Sequence, residues 1–242
     1  MFNRKKYKEF ARIQLKKRWT LPVVMTVITF VIAILLEVPY TQNLMNVFEK
    51  QGAASTANFW GTYRQILSSY KETPLERICG WASFFISAII TLAQYHVYLK
   101  MSRSPEPVHF GDFMEGFNHW WRAILATLWM YLWIILWTLL FIIPGIVKTI
   151  AYSQTYFIIT EFPEISVTKA LDISKLITKG FKWNLFIMWI SFIGWGIISC
   201  FTCGLGFLWL VPYMNMSMTN AYHGLMKHAL ESQIITADDL KQ

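Results

Sequence analysis

The feature that most constrains this chain is a series of apolar runs that are too long and too uniform for a soluble core. Six stand out: Leu21 to Val38, Trp81 to Leu99, Ala123 to Ile143, Gly145 to Thr160, Trp183 to Phe201 and Leu205 to Tyr222. Four are clean over roughly 18 to 21 residues, enough to cross about 30 Å of hydrocarbon at about 1.5 Å per residue. The sixth carries Asn215 and Asn220, and the fourth is short and polar, with Lys148, Ser153 and Gln154. A backbone in oil must satisfy its own amides, so such runs are read as helices. The expected fold is all-α: a polytopic, six-helix transmembrane bundle with interfacial amphipathic helices, forming a single membrane domain over residues 1–242. Composition agrees, with 55% of residues hydrophobic and 15% charged, where a soluble domain carries about a quarter charged. Disordered, collagen-like and disulfide-scaffold chains are excluded on the same grounds.

The third and fourth runs need an argument. Ala123 to Thr160 is too long to cross once, at about 57 Å as a single helix. Pro144 and Gly145 sit near its middle. Proline removes a donor and glycine allows a turn, so a hairpin hinged at Pro144 and Gly145 is the simplest reading. A broken helix lining a cavity, as transporters use, is the alternative.

Charge orients the bundle. The first 19 residues hold eight basic residues (Arg4, Lys5, Lys6, Lys8, Arg12, Lys16, Lys17 and Arg18) against one acid, Glu9, so this arm supplies +7 of a formal net charge of +8. A basic arm just before an apolar span reads as a cytoplasmic flank meeting anionic headgroups. Nucleic acid is not expected as a partner, because the arm abuts an apolar segment and the remainder is nearly neutral. The first span lacks a small-residue cleavage site and is read as a retained anchor, with Thr20-Leu21-Pro22 starting its helix. With the N-terminus inside, 17 of the 22 Lys and Arg fall in cytoplasmic segments and five in outer ones. Six crossings with both termini in the cytoplasm and a cell-membrane location follow.

Two further segments are expected on the membrane surface. The outer connection, 39–80, has Phe59, Tyr63, Ile66, Leu67 and Tyr70 at helical spacing and ends in the capping box Thr73-Pro74-Leu75-Glu76. It is read as a lid over the bundle, with a docking surface as the alternative. Inside, 161–182 holds an amphipathic helix with Val167, Ala170, Leu171, Ser174 and Ile177 on one face, closed by Gly180.

The sequence has no catalytic constellation, so no enzyme, cofactor or metal site is expected. His96, His109 and His119 flank one loop beside Asp112 and Glu115, but no metal-ligand spacing supports them. Cys200 and Cys203 form a C-x-x-C pattern among apolar neighbours, and with Cys79 are read as buried or paired structural residues. Trp129, Trp133 and Trp137 recur at i, i+4 and i+8 as a lipid-facing or packing ridge, with ligand recognition as the alternative. With Lys148, Gln154 and Asn215 they are the residues singled out as lipid- or ligand-facing; Gln154 and Asn215 could meet inside the bundle. Gly194, Gly196, Gly204 and Gly206 are expected to permit close approach of the last two helices.

Several motifs together carry a family resemblance. They are Ala170-Leu171-x-x-Ser174, Lys179-Gly180-x-Lys182-Trp183, Ser191-Phe192-Ile193-Gly194-Trp195, Thr202-x-Gly204-x-Gly206, Leu210-x-Pro212-Tyr213, the arm leading to Trp19, and Phe113-x-x-Gly116-Phe117. The chain resembles the bacterial integral membrane proteins grouped under domain of unknown function nine-seven-five. The resemblance implies a multi-span helical membrane protein and no established reaction, so it carries over no catalytic residue. The expected function is a non-enzymatic multi-pass protein that binds lipid or a membrane-active peptide, in envelope maintenance or an immunity-type role. A small-molecule transporter, or an accessory subunit with a membrane protein partner, is the alternative.

Overall fold

The computed structural model describes residues 2–50 and 59–240, and among them there are α-helices and short 3-10 turns but no strand. Five helical stretches among the described residues are long and apolar enough to cross a membrane: Thr20–Glu49, Pro74–Arg103, Phe110–Leu140, Ile142–Glu161 and Lys182–Phe201. The protein is therefore all-α and polytopic. The sixth expected span lies in a 25-residue helix, Phe207–Glu231. Its length suffices, but it is not among the five, and Asn215, Asn220 and His223 are part of the reason.

The chain divides into two compact units, Ile28–Ser87 and Met1–Val27 with Ala88–Gln242. The first unit holds the later part of α2 (Thr20–Lys50), α3 (Phe59–Ser69) and the first turns of α4 (Pro74–Arg103). Here the outer connection is shorter than the hydropathy suggests. α2 runs on through Pro39 to Lys50, and α4 begins at Pro74. A proline inside a helix removes a single donor, and a long helix tolerates that loss. The capping box forms as expected: the Thr73 amide donates to Glu76 Oε2 (2.6 Å) and the Glu76 amide to Thr73 Oγ1 (3.3 Å). Asn43 Nδ2 donates to the Lys71 carbonyl at 3.0 Å, and the Tyr40 and Tyr70 rings meet edge-on at 5.7 Å. The expected surface helix is α3, with Tyr63 exposed and Ile66 buried. Residues 51–58 of this connection lie outside the described residues.

In the second unit, a short α5 (Phe110–Glu115) and a 3-10 turn (Gly116–His119) lead into α6 (Trp120–Leu140). The Phe113-x-x-Gly116-Phe117 motif has a packing cause. Phe113 is buried and meets Phe117 edge-on, while Gly116 lies so close to α4 that a Cβ there would sit 2.5 Å from Ala93 Cα.

α6 and α7 (Ile142–Tyr152) form an antiparallel hairpin. Arg122 donates to the carbonyls of Pro163 and Ile165, Thr127 bonds Tyr156, and Thr138 touches Gly145, so partner numbers fall as α6 advances. The expected hinge needs correction. The chain reverses at Phe141, which is extended (φ −158°, ψ 144°), three residues before Pro144. Pro144 and Gly145 lie in the first turn of α7, where a proline loses only an amide that has no helical partner anyway. Gly145 serves the close approach to Thr138 rather than a bend.

The fourth span is not one helix. It breaks at Ser153–Gln154 between α7 and α8 (Thr155–Glu161). Buried side chains of α9 (Val167–Ile177) and the turn after it take over the freed backbone groups. Ser174 Oγ donates to the Ala151 carbonyl at 2.7 Å and accepts from the Gln154 amide at 3.3 Å, and Thr178 Oγ1 also reaches Ala151. Irregular backbone at depth is tolerated only where protein satisfies it in this way. α9 has the expected apolar face: Ala170, Leu171, Ser174 and Ile177 are fully buried, and Gly180 (φ +84°) ends the segment. That face points into the bundle, against α6, α7, α8 and α11 (Phe207–Glu231). A stack of three rings joins α4, α8 and α11: Tyr95 on Phe157 (4.1 Å) and Phe157 on Tyr222 (5.2 Å).

α10 (Lys182–Phe201) and α11 make the last hairpin, turning through Cys203 and Gly204, both at positive φ. Only one of the expected glycine contacts forms. A Cβ at Gly206 would strike Ser199, whereas Gly194 and Gly196 have open space around them.

Candidate functional site

The basic arm is a helix, α1 (Arg4–Leu15), started by Asn3, whose side chain accepts from the Lys6 amide at 3.1 Å. Its apolar residues Ala11 and Leu15 are fully buried because the helix packs on α11. Tyr7 fits against Gly224, where a Cβ would collide with its hydroxyl. Asn220 Nδ2 donates to Gln14 Oε1 at 2.7 Å, and Gln14 Nε2 donates to the Ser102 carbonyl at 3.2 Å. Arg18 then closes the C-terminal end of α4: Nη1 donates to the carbonyls of Ser104 (2.7 Å) and Glu106 (3.1 Å), and Nη2 to that of Met101 (3.1 Å). A cation at the last carbonyls of a helix opposes the negative end of its dipole. Burial pulls the Arg18 guanidinium below its ordinary pKa.

The eight cations of the arm thus divide into three sets. Arg18 is spent on α4. Arg4, Lys5, Lys6, Lys16 and Lys17 are exposed. Lys8, half-buried, and Arg12, also exposed, stand one turn apart and reach the α10–α11 hairpin. Lys8 Nζ donates to Ser191 Oγ at 2.6 Å and sits 4.0 Å from the Phe192 ring centre, while the Arg12 guanidinium lies 5.6 Å from that of Tyr213. Burial, then the charges of Arg4 and Arg12, lower the Lys8 pKa below the usual ammonium value. From Arg12 an apolar groove of about 390 Å³ runs along the hairpin, walled by Trp19, Trp195, Ile198, Trp209 and Tyr213 and reaching Gly206.

A second cavity of about 550 Å³ lies between Tyr7 and Phe10 of α1 and the polar side chains of Ser102, Arg103, Glu161 and His223. Glu161 pairs with Arg103 and accepts from the Tyr222 hydroxyl. Ser102 Oγ lies 2.7 Å from His223 Nε2, a nucleophile-and-base spacing. The hydroxyl has one proton, however, and Ser102 Oγ also donates to the Leu99 carbonyl at 2.7 Å. With that bond in place the imidazole donates to the serine, the reverse of activation.

The residues singled out from sequence fall in three places. Trp129, Trp133 and Trp137 lie along α6, with Trp129 exposed and meeting Trp133 edge-on at 6.3 Å. The hairpin brings Lys148 over Trp137, 4.6 Å from its ring centre. Gln154 is buried in the α7–α8 break, with Nε2 donating to Ser153 Oγ at 2.8 Å. Asn215 is on α11, beside the Tyr98 hydroxyl. Gln154 and Asn215 therefore have separate neighbours and do not form the expected pair. Cys200 and Cys203 are unbonded and exposed, and Cys79 is unbonded and half-buried, contrary to the expectation of buried or paired thiols. Among the described residues no three His, Cys, Asp or Glu side chains form a metal-binding group. His96 instead faces Glu115 at 3.7 Å, and Asp112 pairs with Lys100.

Lys8, Arg12, Trp195 and Trp209 were not singled out as a set. A signal for them exists: Lys8 and Arg12 share a helical face with Ala11 and Leu15 at their flanks, and no Asp or Glu occurs between Asp172 and Glu231. Compared with known sequences, the chain matches the model of a family described as Protein of unknown function (DUF975), over residues 1–150 and 142–229. Nothing among the curated proteins and nothing among the solved structures matches it.

Proposed function

The chain belongs to that family, and from this premise we propose a non-enzymatic multi-pass protein of a bacterial cell membrane that binds anionic lipid through its docked cationic arm. The observation that carries the reading is the exposure of Arg4, Lys5 and Lys6 on α1, and of Lys16 and Lys17 in the turn after it, on a segment anchored to α4 and α11. Each basic residue near an anionic surface contributes about 1 kcal/mol of attraction. Trp19, where α1 gives way to α2, suits the headgroup level. We place six crossings in the bilayer, with α11 as the sixth and both termini cytoplasmic. The Gln14–Asn220 bond, which satisfies a polar side chain of α11 internally, supports that count. A cationic membrane-active peptide fits less well, since it would meet like charge.

A transport role is the second reading, motivated by the break at Ser153–Gln154. The α9 hydroxyls of Ser174 and Thr178 fill that break and weigh against it.

The test uses the detergent-purified protein with brominated phosphatidylglycerol or brominated phosphatidylcholine, reading quenching of tryptophan fluorescence. The expected result is at least tenfold stronger quenching affinity for the anionic lipid at low salt. That preference should shrink as the screening length falls from about 10 Å at 0.1 M to about 3 Å at 1 M. Replacing Arg4, Lys5, Lys6, Lys16 and Lys17 by Gln should abolish most of it. Equal quenching by the two lipids, independent of salt, would overturn the reading.

A further inference from the structure

The exposed Arg4, Lys5, Lys6, Lys16 and Lys17 suit a diffuse attraction to any anionic surface. Lys8 and Arg12 are placed differently. They turn toward a hairpin without a carboxylate, since the chain has no Asp or Glu from Ile173 to Leu230. Among the described residues neither is in an ion pair. Lys8 is half-buried against Ser191 and Phe192, and Arg12 stands at one end of an apolar groove of about 390 Å³. Lys8, half-buried there without a carboxylate partner, carries an unfavourable desolvation, which an anion in the same place offsets, and the exposed Arg12 keeps its donors open to that same anion. The groove beside Arg12 is lined mostly by rings and by the aliphatic side chains of Ile198 and Leu210, with Ser199 and Thr202 adding hydroxyls. From Tyr213 to Gly206 it follows two turns of α11, or about 10 Å at 1.5 Å per residue. A charged end beside an apolar trough of that length matches an amphiphile with an anionic head and a hydrocarbon tail.

We infer that the α1–α10–α11 groove is a discrete site for one anionic phospholipid from the bilayer, its phosphate held by Lys8 and Arg12 and one acyl chain lying between Trp195 and Trp209. The inference deepens the proposed function and rests on it: it assigns the preference for anionic lipid to one stoichiometric site in addition to the exposed cations. The Lys8–Ser191 bond fixes the ammonium against α10, one turn along α1 from Arg12, which lines the groove. Guanidinium grips phosphate with paired donors, while ammonium acts as a point charge.

The test is native mass spectrometry of the full chain, released from detergent with phosphatidylglycerol or phosphatidylcholine added, read as the fraction retaining one lipid. Wild type should keep a single phosphatidylglycerol under activation that strips further lipids, and keep phosphatidylcholine at least tenfold less. The double variant Lys8→Gln with Arg12→Gln should lose that adduct at least tenfold, while Arg12→Lys retains part of it. Ile198→Trp, which fills the groove and leaves every charge in place, should also lose it. Lys5→Gln with Lys6→Gln should keep the adduct, and near-wild-type melting temperatures in detergent should establish that all variants are folded. Equal loss in the Lys5/Lys6 and Lys8/Arg12 variants, or retention in Ile198→Trp, would overturn the discrete site while leaving the arm's general lipid binding standing. If wild type shows no preference for phosphatidylglycerol in either experiment, both proposals fall.

Discussion

Arg18 ends the cationic arm by binding a helix rather than a lipid. Its guanidinium donates to four carbonyls, through Nε to Gln14 and through Nη1 and Nη2 to Met101, Ser104 and Glu106. A charge-assisted hydrogen bond contributes about 1.5–3 kcal/mol, less where water competes. Arg18→Gln should therefore destabilise the protein by about 2 kcal/mol in a chemical-denaturation series in detergent, while Lys17→Gln, at an exposed position, changes stability by less than about 0.5 kcal/mol. Glycines offer a second contrast. Gly145→Ala forces a methyl onto Thr138 and should cost about 1–3 kcal/mol, as overpacking does. Gly194→Ala meets no atom within 4 Å and should stabilise α10 by up to about 1 kcal/mol, the helix-propensity difference between the two residues. If both glycine variants shift the melting temperature alike, the packing account of the α6–α7 hairpin is wrong. At this scale the sequence is legible where cause and effect are neighbours. Thr73 and Glu76 announce their capping box, and Gly180 its helix end. The roles of Gly145 and Gly194 were not legible, because what a glycine permits depends on an atom from another segment.

Among the elements, α9 shows what periodicity can and cannot tell. Its spacing gives the buried face residue by residue, but an amphipathic helix beside a membrane has two apolar places to put that face. The deciding signal lies in Ser174 and Thr178, hydroxyls on the apolar stripe that only a backbone partner could satisfy. Ser174→Ala adds no volume and removes both the donor to Ala151 and the acceptor for the Gln154 amide. The change leaves the buried Gln154 amide unpaired, at about 1–3 kcal/mol, and the Ala151 carbonyl with only the 3.4 Å bond from Thr178. The expected result is a loss of about 2–4 kcal/mol in stability, with amide hydrogen exchange around Gln154 accelerated ahead of the rest of α7. Unchanged exchange there would mean that α9 does not hold the break. The reversal at Phe141 instead of Pro144 belongs here too. A proline is as acceptable in the first turn of a helix as in the loop before it, so it marks a helix boundary only to within a few residues.

For the whole molecule, hydropathy and charge asymmetry reveal an all-α membrane protein because the bilayer imposes length and backbone satisfaction on every span. They do not reveal α1 as part of the bundle. Its partners lie far away in sequence, with Gln14 and Asn220 separated by 206 residues, and a helix with eight nearby cations reads as a free surface element until those partners are in place. The groove was hidden for the same reason: its walls come from α1, Trp19 before α2, and the α10–α11 hairpin. Six crossings require the two chain ends to share one side, so impermeant thiol labelling of single cysteines at Lys5 and at Lys227, in a chain lacking Cys79, Cys200 and Cys203, should protect or expose both together. Opposite accessibility would favour five crossings and remove α11 from the count. The docked arm underlies the lipid reading as a whole, and the most direct measurement is proximity in the native membrane. In the same cysteine-free background, Gln14→Cys with Asn220→Cys should join within one chain through a short bifunctional thiol reagent, in high yield and regardless of salt. An arm that lies free on the lipid surface would give no such link, or one that disappears as salt is raised, and either result would contradict the account.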